Sequence, residues 1–377
     1  VARLSITNFR SYARAELDLS GRPVVLAGPN GAGKTNLLEA ISLLSPGRGI
    51  RGAGLSEHTR KAPQPAQPDV LWAVHATLAC GGETYDIGTG LAAASQGSEK
   101  RQVHLNGAPA RSSADLAEII RMVWLTPAMD RLFSDSASGR RRFLDRLVLG
   151  FDPAHARRSL RYEQAMRERA RLLRLGPRDP LWLDGLEKEM AESGVEVAAA
   201  RAATVERLNG ALSQREREGA FPCAQLAITG DSEALMANSR ETAVDGVRNA
   251  LARSRIRDAE SRRTGVGPHT SDLVARHSEK RMDARDCSTG EQKALLISIV
   301  LADAWELARV RGEQAPILLL DEITAHLDER RRFALCEEIL ALGAQAWLTG
   351  TDAALFETLA SRADIFHVEA SQLTRKN

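Results

Sequence analysis

Aromatic residues make up only 4% of the 377 residues, and there are only four cysteines. So few rings leave little to stack against unpaired bases, which argues against an extended single-strand platform. Cys80, Cys223, Cys287 and Cys336 lack the paired spacing of a zinc site or redox dithiol, and nothing supports a secretory setting for disulfides. No uncharged apolar run reaches membrane-spanning length, and Val1 to Leu19 mixes charged and apolar residues too evenly for a signal sequence. A cytoplasmic protein without a membrane partner is therefore expected. There is no large excess of either charge: 51 basic and 49 acidic residues leave a net +2. Any surface for a polyanion must then be local. Internal repeats and long heptad patterns are also missing.

Hydrophobic residues reach 43%, enough for one large folded body or two smaller ones. Arg3–Thr7 and Pro23–Ala27 read as strands, and the second leads through a glycine-rich turn into a helical run at Asn36–Ile41. Val70–Leu78, Thr84–Gly88 and Lys100–Leu105 look like short antiparallel strands, flanking a loop that holds Pro63, Pro65 and Pro68. From about Gly139 to Gly265 the sequence turns helical and rich in Arg, Glu, Leu and Ala, with breaks at Gly176-Pro177 and Phe221-Pro222. Ala315–Leu320 and Ala344–Thr349 return to strand texture, the first apolar throughout as in a strand buried on both faces. The expected fold is α/β, a mixed sheet flanked by helices and split by an inserted, mainly helical arm. Its parts are residues 1–126, the arm at 127–265, and 266–377.

Gly28-Pro29-Asn30-Gly31-Ala32-Gly33-Lys34-Thr35 matches G-x-x-x-x-G-K-[ST] between a strand and a helix. Glycines let backbone N–H groups turn toward phosphate oxygens, the following helix offers its positive end, and Lys34 neutralises β/γ charge. ATP is the expected ligand, with Asn36 next to the loop and the Thr35 hydroxyl on Mg²⁺. Ile317–Leu320 delivers Asp321 and Glu322 at a strand's C-terminal end, where open α/β sheets place ligands. Asp321 is read as the second Mg²⁺ ligand. Glu322 is read as the base that polarises water, catalytic together with Lys34. Ser288-Thr289-Gly290-Glu291-Gln292 precedes the apolar helical run Ala294–Leu301; taken alone, such a segment can be a simple helix cap.

Together these residues resemble the SMC-like branch of the ABC ATPases and, within it, the RecF family. The likeness extends to Asn8-Phe9-Arg10-Ser11-Tyr12, Arg140–Asp145, Gly267-Pro268-His269 and Cys287–Leu296, in that family's order. The resemblance implies an ABC-type head in which Ser288, Gly290, Glu291 and Gln292 form a signature loop that caps ATP held by a partner copy. Asp328 falls where the family has an aspartate at the dimer contact; a solvated acid at a helix start is the plainer alternative. It further implies an ATP-dependent homodimer with slow ATPase activity, on double-stranded DNA at single-strand gaps, acting with RecR and RecO in loading RecA during recombinational repair and replication. Two segments depart from the wider pattern. Leu125-Thr126-Pro127 stands where relatives often have a glutamine. Leu348-Thr349-Gly350-Thr351-Asp352 lacks a switch histidine, so γ-phosphate sensing would fall to a threonine or aspartate there; His326 is read as a turn residue.

Arginines crowd the arm, among them Arg140, Arg141, Arg142, Arg253, Arg255, Arg257, Arg262 and Arg263, but many have acidic neighbours that could pair with them. Arg48 and Arg51 lie among glycines with no acid until Glu57 and are the expected DNA-phosphate contacts. A transporter ATPase subunit would share the ATP motifs, and a non-catalytic nucleotide-binding scaffold would share the loop.

Overall fold

The structure is a computed structural model, and it describes residues 1–61, 70–92, 101–176, 180–215, 219–235, 240–310, 312, 314–325 and 327–376. The proline-bearing loop and His326 lie outside these residues. In chain order come β1 (Arg3–Phe9), β2 (Tyr12–Asp18), β3 (Val24–Ala27), α1 (Lys34–Ser42), β4 (Val70–Cys80), β5 (Glu83–Ala92), β6 (Gln102–Leu105), β7 (Ala108–Pro109), α2 (Leu116–Ile119) and β8 (Met122–Leu125). Then follow α3 (Ala137–Phe151), α4 (His155–Leu175), α5 (Pro180–Arg215), β9 (Ala224–Thr229), α6 (Asp231–Leu235), α7 (Arg240–Ser261), β10 (Asp272–His277) and β11 (Met282–Asp283). The chain ends with α8 (Thr289–Val310), β12 (Ile317–Leu320), α9 (Glu329–Leu342), β13 (Ala346–Gly350), β14 (Asp364–Glu369) and β15 (Gln372–Lys376).

Two compact units result. The first comprises Val1–Asp130 and Val300–Asn377 with a short piece at Glu218–Phe221; the second comprises Arg131–Arg217 and Pro222–Ile299. The division falls inside α8. Residues 266–299, which the sequence reading grouped with the head, thus belong with the second unit.

In the first unit one sheet has the order β15-β14-β3-β13-β12-β8, parallel except at β15. Every residue of β3, β12 and β13 is buried, as strands covered on both faces require, and this explains the unbroken apolar runs of β3 and β12. The register sets Leu320 beside Leu348, and Thr349 beside Leu26. The C-terminal ends of β3, β13 and β12 are therefore level. A second, antiparallel sheet runs β2-β1-β4-β5-β6-β7. Its inward residues Leu4, Ile6 and Trp72 share a core with Leu37, Leu38 and Ile41 of α1, so the phosphate-loop helix is clamped by apolar burial.

The second unit packs α4, α5 and α7 around Tyr162, Met190, Val195, Val247 and Leu251. Arg169 of α4 is fully buried there: its guanidinium donates to Glu187 of α5 at 3.0 Å, and to Asp258 and the Leu251 carbonyl of α7 at 2.8 Å each. The unit also holds the sheet β11-β10-β9. The stretch to Gly265 is mainly helical, as expected, and β9 is the one strand among its described residues. Strand β9 alternates buried Ala224 and Leu226 with outward residues, but it is six residues long and pairs with β10 more than forty residues on, so no local pattern announces the sheet.

Candidate nucleotide site

The loop between β3 and α1 is shaped by positions that admit no side chain. A Cβ at Gly28 would come within 2.1 Å of the Val368 carbonyl oxygen. Gly33, at φ 110, is the residue before α1, and a Cβ there would meet the Tyr12 hydroxyl at 2.9 Å. That hydroxyl donates to the Gly33 carbonyl at 3.1 Å. Burial pushes the Tyr12 phenol well above its ordinary value, so it remains a neutral donor beneath the loop.

Lys34 is buried, and its ammonium donates to the carbonyls of Gly28 and Pro29 at 2.6 and 2.8 Å. Burial lowers its pKa, while Glu322 and Asp321 work in the opposite direction. The cation is therefore enclosed by the loop and faces the two carboxylates. Pro29, Asn30 and Gly31 are exposed on the loop's outer turn, and Ala32 is buried beneath it.

Asp321 is the point of convergence. Its carboxylate accepts from the Thr35 hydroxyl at 2.9 and 3.0 Å and from the Thr349 hydroxyl at 2.8 Å. Thr349 in turn accepts from the backbone N–H of Glu322 at 2.7 Å. Glu322 stands at φ 47, a left-handed conformation that costs a non-glycine residue of order 1–3 kcal/mol. One buried hydroxyl thus links the Asp321 carboxylate to the strained backbone of Glu322. Thr349 comes from the segment that lacks a switch histidine, where a threonine or aspartate was expected to sense γ-phosphate; its bonds to Asp321 and Glu322 were not expected. The sequence signal for them was slight: a polar residue near the end of an otherwise apolar strand.

The pairing of Thr35 with Asp321 suits Mg²⁺, which takes one or two protein oxygens and leaves its remaining positions to phosphate and water. Among the described residues no cluster of three or more His, Cys, Asp or Glu side chains forms a cage for another metal.

Beyond α1's first turn lies a second charged group. Glu39 is fully buried and accepts from Arg10 at 2.7 and 2.9 Å and from Arg51 at 2.9 Å, and His58 lies 3.5 Å away. Burial alone would raise the Glu39 pKa, but His58, Arg10 and Arg51 bring it down to about 2. Arg51 also donates to the Asn36 side chain at 3.1 Å, and Asn36 donates to Ser11 at 2.8 Å. The absence of nearby acids around Arg51 in sequence is thus made good by α1. Arg48 is exposed and has no ion pair among the described residues.

The segment before α8 lies in the second unit. The Ser288 N–H and hydroxyl donate to the Glu291 carboxylate at 3.0 and 2.9 Å, and the Glu291 N–H returns to the Ser288 hydroxyl at 3.4 Å. This is a reciprocal helix cap. Lys280 adds an ion pair, and mainly through it the Glu291 pKa falls to about 2. Gln292 is buried, donating to the Cys287 carbonyl at 2.9 Å and accepting from Ser134 at 3.0 Å. Ser288 is exposed, and nothing lies within 4 Å of a Cβ built at Gly290. Asp328 caps α9, accepting from the Arg331 N–H at 2.8 Å.

Comparison with known proteins agrees over the whole length. The chain matches the model of the RecF/RecN/SMC N terminal domain over residues 1–374. It is 49% identical to the DNA replication and repair protein RecF of Mesorhizobium japonicum, covering 98% of this chain and 96% of that protein. It is 48% identical to the RecF of Agrobacterium fabrum, covering 99% and 98%. Among solved structures it resembles the recombination mediator protein RecF-ATPrS of the RecFOR pathway, with TM-score 0.86 at 22% identity over 100% of this chain and 98% of the other. A Pyrococcus furiosus Smc head domain shares the fold more distantly, with TM-score 0.52 at 16% identity over 100% and 95%. With its phosphate loop, its Asp-Glu strand end and full-length likeness to these proteins, the chain belongs to the RecF family of DNA replication and repair proteins, a branch of the SMC-like ATPases.

Proposed function

We propose that the chain is an ATP-hydrolysing clamp on duplex DNA at single-strand gaps, in which ATP bound by one copy is capped by the signature segment of another. The observation that carries this reading is the convergence of Thr35, Asp321 and Thr349 beside the strained Glu322. A bound Mg²⁺ would draw charge from the β- and γ-phosphate oxygens. Thr35 and Asp321 are placed to hold it, and Lys34 to face the same phosphates. Glu322 orients and deprotonates the attacking water, and the Thr349 hydroxyl fixes the backbone that aims it. A backbone locked in an uncommon conformation resists re-aiming, in keeping with slow turnover.

Ser288 is exposed and Gly290 half-buried at the start of α8, with nothing within 4 Å of a Cβ built at Gly290, so the helix's positive end is open to phosphate charge from outside the chain. Loss of the γ-phosphate then loosens the pair of copies. Of the two arginines expected on DNA, Arg48 has the freer charge, and Arg51 chiefly braces Glu39. The biological role that follows is support of RecA loading together with RecO and RecR. Among the described residues no helix is long and apolar enough to cross a membrane, and the full-length kinship speaks against a transporter subunit.

The test is solution mass by light scattering with ADP, with ATP or without nucleotide, each with and without gapped duplex. A dimer is expected with ATP and Mg²⁺, and Ser288→Arg should bind ATP yet remain monomeric. A wild type that stays monomeric with ATP on gapped DNA overturns the reading. Lys34→Ala should abolish ATP binding, and Arg48→Glu should weaken DNA binding and reduce its salt dependence.

A further inference from the structure

We propose that the end of the second unit where α4, α5 and α7 meet is a DNA contact surface of its own, in which exposed arginines hold backbone phosphates and Trp182 with its apolar neighbours rests on an unstacked base. It rests on the DNA-clamp reading above. The buried Arg169 defines which residues share this end, since it joins the last turns of α4 to Glu187, Leu251 and Asp258. Arg255 adds pairs to Asp184 and Glu187, and Arg169 reaches the turn after α7 at the Thr264 hydroxyl, 3.5 Å away. The C-terminal ends of α4 and α7 and the N-terminal end of α5 therefore lie together.

This end is both apolar and cationic. Leu175 is 65% exposed, Trp182 50% and Ile256 75%, with Leu181 beside them. Single exposed apolar residues are ordinary, but large ones gathered at one end of a bundle mark a surface that meets something. Arg174, Arg253, Arg257, Arg262 and Arg263 are exposed and carry no ion pair among the described residues. Most nearby carboxylates of the described residues are already engaged: Glu187 and Asp258 by Arg169, Asp184 by Arg255, and Glu168 by Arg171, while Glu260 of α7 stays exposed as a single acid among five such arginines. Arg253 and Arg257 are one helical turn apart, so their Cβ atoms lie about 6 Å from each other along α7, and the Arg257 guanidinium lies beside Gly265 in the turn that follows.

Charge selects an anionic occupant, and planar guanidinium groups without carboxylate partners suit phosphate. The apolar component selects further. In an intact duplex each base is covered by its neighbours, so an indole finds a ring to lie on only where stacking is broken, as at the edge of a single-strand gap. One exposed tryptophan is too little for a single-strand platform but enough for one such base.

The experiment uses the full chain with ATP and Mg²⁺ and reads anisotropy on a hairpin-capped duplex and on the same duplex carrying a gap. Arg253→Glu with Arg257→Glu should weaken both about tenfold and lower the slope of log affinity against log salt by roughly two. Leu175→Ser with Trp182→Ser should leave the capped duplex unchanged and weaken the gapped one about tenfold. Phosphate release without DNA and melting temperature should match the wild type in both, which verifies folding. Variants that bind both DNAs as the wild type does overturn the proposal, as does a change confined to self-association. A wild type that binds neither DNA sinks the clamp reading itself, a distinct outcome.

Discussion

At the phosphate loop, polar groups from two neighbouring strand ends and a helix meet at Asp321, and Glu322 is held at φ 47 to complete the group. At the start of α8, Ser288 and Glu291 satisfy each other, Gln292 is turned inward, and the backbone is ordinary. Both segments are glycine-containing turns that lead into helices. The first carries strain and convergence that capping does not need, so its chemistry can be inferred from within one chain. The second is fully explained as a helix start, so a role for it must come from what docks on it.

The sharpest way to break this contrast is Glu322→Gln. The amide keeps size and backbone but cannot take a proton, so phosphate release should fall by about 10²–10⁴-fold while the ATP-stabilised dimer persists. Equal, near-zero release from wild type and variant would make the strained group a nucleotide-binding scaffold and erase the distinction.

Two carboxylates held at about 2 sharpen it next. Glu39 is buried beneath α1 and Glu291 caps α8 near the surface. Because both folded-state values lie below the ordinary 4.5, each group's contribution is fully present above about pH 4.5 and fades as pH falls toward 2. Glu39→Gln leaves Arg10 and Arg51 without their counter-charge and should cost about 3 kcal/mol at neutral pH. Glu291→Gln keeps a cap-competent side chain and should cost well under about 1 kcal/mol. Denaturant midpoints at pH 7 and pH 3 check both, and the gap between the variants should narrow at the lower pH.

Thr349→Val removes the hydroxyl that links Asp321 to Glu322 and leaves the Glu322 N–H without its acceptor. A cost of about 1–3 kcal/mol is expected. Turnover should fall more than ATP affinity does, because the lost bond aims the base and does not hold phosphate. Equal losses in both would mean that Thr349 only packs.

Local signals explain how much of this was legible in sequence. The phosphate loop, the strand ending in Asp321-Glu322 and the helix from Thr289 each combine a periodic apolar run with a fixed polar punctuation, and each appears where expected. What stayed hidden depends on partners far along the chain: Thr349 meets Asp321 only because β13 lies between β3 and β12, and Arg51 finds Glu39 only through the path after α1. The β9–β10 ladder was hidden for the same reason, as was the Arg169 pin that gathers three helix ends. Backbone strain at Glu322 leaves no mark in composition at all.

Asp328 offers the finest test, because its two possible roles differ in one variant. Asparagine caps a helix about as well as aspartate, whereas alanine does not. Asp328→Asn should therefore keep α9 and the melting temperature, and Asp328→Ala should lose about 1 kcal/mol. If the carboxylate also meets a second copy, both variants should weaken ATP-dependent dimerisation alike, because both remove the charge. Dimerisation lost only with alanine, in step with stability, would reduce Asp328 to a cap and place it with Glu291 among the groups that a single chain explains by itself.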